Sequence, residues 1–274
     1  MGEQREPLTV EVDLEHGGRW TSLGTPRREW LWQRPSVRAE REAVQPGDAF
    51  VDAGGVEECF PTVAGRLDHG DVWARRWSGT AEDAHVQASG WELRRRMDVT
   101  DGVLTVRCTV TGEPGRGLLH AVHGLYALSA SARVEVAPGA PLRVQDVAAG
   151  SDWVAGRWPG AEPLERCGPV DGSARLAVVA TDTVRLVDGE DVLELRWRLE
   201  RGSGPVSLLL WRNLGGWPAG APYRSIGVEP LLGAATDVDT ARADQLARTD
   251  DTGRLDWVVQ ARALTRHGGA RSAA

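Results

Sequence analysis

The residues best suited to chemistry in this chain are one acid and three histidines, set far apart. Glu229 stands in Gly227-Val228-Glu229-Pro230-Leu231, directly after Tyr223-Arg224-Ser225-Ile226. The run is apolar and strand-like, and Pro230 is expected to end it, leaving the carboxylate on a rigid edge. Upstream, Leu118-Leu119-His120-Ala121-Val122-His123-Gly124 carries two histidines at odd spacing. On a strand such spacing sends the two side chains to opposite faces, so only one can serve a given site. The same geometry weakens a His-x-x-His metal pair. The third histidine lies in Asp68-His69-Gly70-Asp71-Val72-Trp73-Ala74-Arg75-Arg76-Trp77, among cations and aromatic faces. Before it comes Gly54-Gly55-Val56-Glu57-Glu58-Cys59-Phe60-Pro61, whose glycine pair lets the backbone turn sharply or approach a ligand closely. A carboxylate and an imidazole flanking a small polar substrate can act as general base and general acid. The plain alternatives are a Glu229 paired with Arg224 and histidines that are hydrogen-bonded core residues.

These groups must be positioned by strands, because period-two alternation recurs and helical periodicity does not. Leu8, Val10, Val12 and Leu14 alternate with polar residues. Trp91, Leu93, Met97 and Val99 share one face, with Glu92, Arg94, Arg96 and Asp98 opposite. Leu104, Val106, Cys108 and Val110 repeat the pattern, as do Leu193, Leu195, Trp197 and Leu199, and near the end Leu255, Trp257 and Val259. Glycine and proline clusters such as Ala137-Pro138-Gly139-Ala140-Pro141 punctuate the runs as turns. Helical candidates are short: Val37 to Val44 and Thr240 to Ala247. The expectation is an all-β fold, a large antiparallel sandwich or barrel. With no linker and no repeat, residues 1–274 read as one domain, with a frayed tail over 266–274.

Composition narrows the partners. The net charge is −7, with 32 basic and 39 acidic side chains dispersed along the chain, which argues against a nucleic-acid partner. No apolar run reaches membrane-spanning length and the first residues carry no apolar core, so no membrane partner is expected. Three scattered cysteines, Cys59, Cys108 and Cys167, imply neither a disulfide framework nor a zinc motif. A reducing, cytoplasmic setting is expected. Twelve tryptophans against two tyrosines and two phenylalanines suit sugar faces or, more plainly, fill the core. No nucleophile elbow, P-loop or dinucleotide fingerprint is present, which removes support for serine acyl transfer, nucleotide binding and hydride transfer.

In order, these segments resemble the aldose 1-epimerase, or galactose mutarotase-like, superfamily, nearest its bacterial branch with glucose-6-phosphate 1-epimerase relatives. Gly17-Gly18-Arg19-Trp20-Thr21-Ser22-Leu23 is similar to that family's opening segment. Gly54-Gly55 through Phe60-Pro61 resembles its cysteine, aromatic, proline turn, and His69-Gly70 with Trp77 its His-Gly…Trp element. His123-Gly124-Leu125-Tyr126-Ala127-Leu128 is similar to its His-Ser-Tyr-Phe-Asn-Leu, and Glu229-Pro230 to its catalytic Glu-Pro. The resemblance spans nearly the whole chain. It implies the family's β-supersandwich and interconversion of α and β anomers of a hexose, without cofactor or metal. It implies Glu229 as base, His123 as acid and His69 as a substrate contact near the ring oxygen. Arg66, Arg75 and Arg76 become candidates for hydroxyl or phosphate contacts, and Trp73 and Trp77 for packing on the sugar. Here the family's Asn-Leu is Ala127-Leu128, and the arginine of its His-Gly-Phe-Ala-Arg is displaced, which argues against glucose 6-phosphate. Asp152 is a loose candidate for the substrate-binding aspartate. The expected partner is a small sugar and the expected assembly a monomer or homodimer. A non-catalytic sugar-binding protein, a phosphosugar epimerase, or a lyase or hydrolase on a similar sandwich are the alternatives.

Overall fold

The computed structural model describes residues 2–161 and 164–266. Two nine-stranded sheets, antiparallel throughout, lie face to face. One sheet carries Glu229. Its strands run, in spatial order, Val154–Arg157, Pro141–Asp146, Ala174–Val179, Val206–Leu214, Arg224–Leu232, His120–Gly124, Val56–Cys59, Arg19–Gly24 and Thr9–Asp13. The second sheet is centred on Asp191–Arg201, Arg254–Arg266, Val103–Thr111 and Trp91–Thr100. The alternation read from sequence explains the packing. Leu104, Val106, Cys108, Val110, Leu193, Leu195, Trp197, Leu255, Trp257 and Val259 all point inward. They meet Leu208, Leu210, Val228 and Leu232 from the first sheet. This is the expected all-β sandwich.

The first sheet is apolar on both faces. Leu208 and Leu210 join the inter-sheet core, while Leu209, with Cys59, Ala121 and Leu231, forms a separate cluster on the outer face. That explains the unbroken Leu208-Leu209-Leu210 run, since a strand covered on both sides loses its alternation.

Several expectations are corrected. Pro230 does not end its strand, which continues to Leu232 as the fifth of nine. Glu229 is therefore mid-sheet rather than at an edge. The neighbouring ladder accommodates the missing N–H. Pairs to the His120–Gly124 strand occur at His120↔Leu232 and Ala121↔Leu231, then at Leu125↔Gly227, with Pro230 in the gap. The helical segments shrink to a 3₁₀ turn Pro35–Val37 followed by helix Arg38–Ala43, and a 3₁₀ turn Ala243–Gln245. Val99 is exposed, whereas Arg95, on the buried face of the same strand, is sealed in the core. Arg266 completes the last strand beside Glu3. The remainder of the tail, 267–274, lies outside the described residues. Among the described residues no helix is long and apolar enough to cross a membrane.

Arg95 is tolerated in the core because its charge is met there. Its Nη1 donates to Glu58 Oε1 at 2.8 Å, and its guanidinium lies 4.8 Å from the Trp77 ring centre. Glu58 Oε2 lies 2.8 Å from His120 Nε2, and Trp257 Nε1–H donates to His120 Nδ1 at 3.0 Å. His120 is thus the core histidine of the pair, with Nε2 as its protonated nitrogen. Removing one partner of a buried ion pair strands the other. Arg95→Met is therefore expected to destabilise the fold by about 3–5 kcal/mol, and Arg95→Met with Glu58→Leu by less than the sum of the single changes. Urea unfolding of the three variants checks this.

Candidate active site

Sheet register builds the site. Glu57 pairs with His123, and Glu229 pairs with Leu209. The unbroken register between Ala121↔Leu231 and Leu125↔Gly227 places His123 opposite Glu229. Glu57, His123 and Glu229 therefore form one cross-strand row on the outer face. The row continues over Leu209 and Val178 to Arg143. Odd spacing does what the sequence suggests, sending His120 inward and His123 outward.

His123 Nδ1 and Glu229 Oε2 are 2.9 Å apart. The alignment is poor for a hydrogen bond, and neither atom has another partner among the described residues. Both groups are deeply placed, with Glu229 1% and His123 7% exposed. Burial, the largest single influence, pushes the His123 pKa down, but contact with the Glu229 carboxyl, together with the charges of Asp52 and Glu57, outweighs it and holds His123 at about 9. At neutral pH His123 is therefore an imidazolium. The neighbouring acids differ. Glu57 takes a two-point clasp from Arg41 at 2.9 and 3.0 Å, and Glu58 accepts from Arg95 and His120. Glu229 accepts no hydrogen bond from the protein among the described residues. Arg224 does not pair with it, donating instead to the carbonyls of Gly168, Leu128 and Ser129.

Loops bring the remaining groups. Gly70 sits at φ +82° against Phe60, where an added Cβ would lie 2.2 Å from the Phe60 carbonyl oxygen. This close approach anchors His69, whose ring centre is 5.1 Å from that of His123. His69 Nδ1 lies 3.0 Å from Asp68 Oδ1, and Phe50 stacks on the His69 ring at 3.5 Å. Gly54 and Gly55, at φ +80° and +85°, press on the carbonyls of Trp32 and Trp20 and so lead the chain into Glu57. Asp52, just before them, bonds the Tyr223 hydroxyl, and Tyr223 stacks on Trp32 at 5.6 Å. The charge of Asp52 also supports protonation of His123.

The structure brings together Glu229, His123 and His69 of the sequence candidates, but separates others. Trp77 is 1% exposed within the core, its indole N–H donating to the Val72 carbonyl, so it offers no face to a sugar. Trp73 is also buried, under Arg41 and against the Phe50 edge. Arg75 is bound to Asp71 at 2.8 Å and Arg76 to Glu15 at 2.9 Å. Both line a polar hollow of about 650 Å³ with His16, Glu42 and His85, which contains neither member of the acid–base pair. Arg66 is exposed with no ion pair among the described residues, and Asp152 is exposed beside Trp153. Eight of the twelve tryptophans are buried, so core filling is their main role. Four residues near the outer face were not singled out from sequence: Phe50, Asp52, Arg143 and Trp153. Trp153 packs on the Cys59–Leu209–Leu231 cluster beneath Arg143, 5.2 Å from its ring centre. Its signal was available in Gly150-Ser151-Asp152-Trp153, whereas Phe50 and Asp52 lie in a loop with no periodicity.

No protein-family model matches the chain, and no curated protein matches its sequence. Solved structures do. A candidate aldose 1-epimerase from Escherichia coli K12 superposes with a TM-score of 0.69 at 14% identity, covering 96% of this chain and 99% of its own. A galactose mutarotase-like protein from Lactobacillus casei gives 0.63 at 15%, over 96% and 100%. The GalM/aldose epimerase homologue from C. elegans gives 0.60 at 14%, over 96% and 97%. The chain has the galactose mutarotase-like fold. Within this mutarotase-like sandwich, the Glu229–His123 row lies in the middle of one sheet, facing away from the core.

The charge pair can be tested without a substrate. NMR titration of His123 should give a pKa of about 9 in the wild type. In Glu229→Gln, burial is opposed only by the charges of Asp52 and Glu57, and the value should fall well below 9. In Gly227→Ala the new Cβ would lie 2.8 Å from Glu229 Oε1, displacing the carboxylate, and the value should fall in between. Because folding raises this pKa, its contribution to stability is complete below about pH 6.5 and is lost as pH rises through about 9.

Proposed function

We propose that the protein is an aldose 1-epimerase-like isomerase that interconverts the α and β anomers of a hexose or related sugar. The observation that carries this reading is the buried Glu229–His123 pair, charged and in contact, yet without hydrogen bonds from the protein. Buried polar groups left unmatched by the protein in a native fold mark a candidate functional site. The hemiacetal carbon bears two oxygens, the C1 hydroxyl and the ring oxygen. An acid and a base that serve one such carbon must be near neighbours, as these are.

Glu229 accepts the proton of the C1 hydroxyl while the His123 imidazolium gives its proton to the ring oxygen. The C1–O bond of the ring breaks and the C1 hydroxyl becomes an aldehyde. Rotation about C1–C2 presents the other carbonyl face. Closure runs the transfers backwards: neutral His123 recovers the proton from the attacking hydroxyl and Glu229 returns its proton to the oxygen on C1. Protons and electrons balance on the two side chains, so the reaction is redox-neutral. His69, its ring centre 5.1 Å from that of His123, contacts the sugar in this scheme. Phe50, Trp32, Tyr223 and Trp153 supply aromatic surface, and Asp52 an acceptor for hydroxyls.

Arg75 and Arg76, bound to Asp71 and Glu15, support free sugars over 6-phosphates. A cytoplasmic setting fits three free, buried cysteines.

Polarimetry of freshly dissolved α-hexoses, free and phosphorylated, tests the reading. Wild type should speed equilibration, and Glu229→Gln and His123→Gln should each lose about 10²–10⁴-fold in kcat/KM. The wild-type rate should fall as pH rises past about 9, when His123 loses its proton. A wild type no faster than buffer with every sugar contradicts it. Saturable sugar binding retained in Glu229→Gln, with no wild-type turnover, would favour a non-catalytic sugar binder.

A further inference from the structure

The outer face also brings a thiol that the acid–base scheme does not use, Cys59, against two histidines of that scheme. Cys59 Sγ and one ring nitrogen each from His69 and His123 lie within 4.8 Å of one another. A thiol with two imidazoles is a donor set for zinc and related borderline-soft cations. Around a tetrahedral zinc, with bonds of about 2.0–2.3 Å, ligand atoms lie about 3.5 Å apart. The observed triangle needs only about an ångström of contraction.

The surroundings of the two imidazoles are the second, independent observation. His123 Nδ1 faces Glu229 Oε2 at 2.9 Å, and His69 Nδ1 faces Asp68 Oδ1 at 3.0 Å. A carboxylate oxygen stands beside Nδ1 of each ring, hydrogen-bonded at His69 and in ion contact at His123, which leaves Nε2 to meet a metal. Metal-binding histidines are oriented in this way, by a carboxylate on the nitrogen that does not bind the metal. Cys59 comes from the same strand as Glu57, two residues on, and so shares its outer face. His69 is fixed by the Gly70–Phe60 approach next to that strand. Three separate segments thus converge on one point.

We propose that Cys59, His69 and His123 form a three-ligand site for a thiophilic divalent cation of the zinc type, with Asp68 and Glu229 orienting the two histidines. Binding displaces the Cys59 thiol proton and the Nε2 proton of the His123 imidazolium to solvent and forms one metal–thiolate and two metal–imidazole bonds, with no change of oxidation state. A cation there occupies His123, so metal and sugar turnover exclude each other. That exclusion rests on the acid role of His123 proposed above; the binding itself does not.

The full chain, stripped with chelator, is titrated with Cd²⁺ as probe and then with Zn²⁺ in competition. One equivalent should bind, with a thiolate-to-cadmium charge-transfer band in the ultraviolet. Cys59→Ser should lose the band, and Cys167→Ser should keep it. Asp68→Asn changes a surface-facing carboxylate and guards against misfolding of the buried cysteine variant. It should weaken binding by about 10–100-fold while leaving one equivalent and the band in place. No band in the wild type, or a band that survives Cys59→Ser, overturns the site. If the band behaves as expected but anomer exchange is absent, the metal site stands and the catalytic reading fails. If exchange is present and indifferent to saturating Zn²⁺, the mutual exclusion is overturned.

Discussion

The constraint on which this site depends is a charge pair held in the middle of a sheet without its full share of hydrogen bonds. Withdrawing two ions from water costs several kcal/mol each even after the protein relaxes. Attraction at 2.9 Å offsets part of that cost, but Glu229 lacks the added donors that satisfy Glu57 and Glu58. The pair persists because the backbone leaves it little choice. Both residues sit on central strands in fixed register, over a floor of Leu209, Leu231, Ala121 and Cys59 that keeps the surroundings apolar. The low local polarity that makes the pair costly also strengthens its action on any group placed beside it.

Other charged groups support the pair from both sides. Behind it, Arg95, Glu58, His120 and Trp257 tie the two sheets together through the core. At the end of the row, Arg41 holds Glu57 and the carbonyls of His16 and Trp73, joining the short helix to the sheet. Burial raises the Glu57 pKa against the pull of Arg41. These arginines are structural counter-ions, which explains why an arginine-rich sequence presents so few of them to the site.

Much of the fold was legible because strands with one buried face write their period into the sequence. Trp91, Leu93 and Met97 alternated as read, and His120 and His123 diverged because spacing dictates it. What sequence could not show depends on partners distant in the chain. Arg95 sits on the apolar face of its strand, and only the folded chain shows that Glu58, 37 residues away, meets its charge there. Pro230 looked like a terminator because the gap that receives it belongs to another strand. Trp73 and Trp77 matched a sugar-binding role by residue type, yet packing took them inward. Phe50 and Asp52 sit in an aperiodic loop, where only the folded chain reveals their proximity to His123.

The most direct test of the account is the crystal structure of Glu229→Gln soaked with a hexose. The account predicts the C1 hydroxyl on residue 229 and the ring oxygen within hydrogen-bond reach of His123, supplying the bonds that the protein leaves unmade. A sugar bound only elsewhere, on Trp153 or in the polar hollow beside Arg75, with His123 and residue 229 untouched, would contradict it.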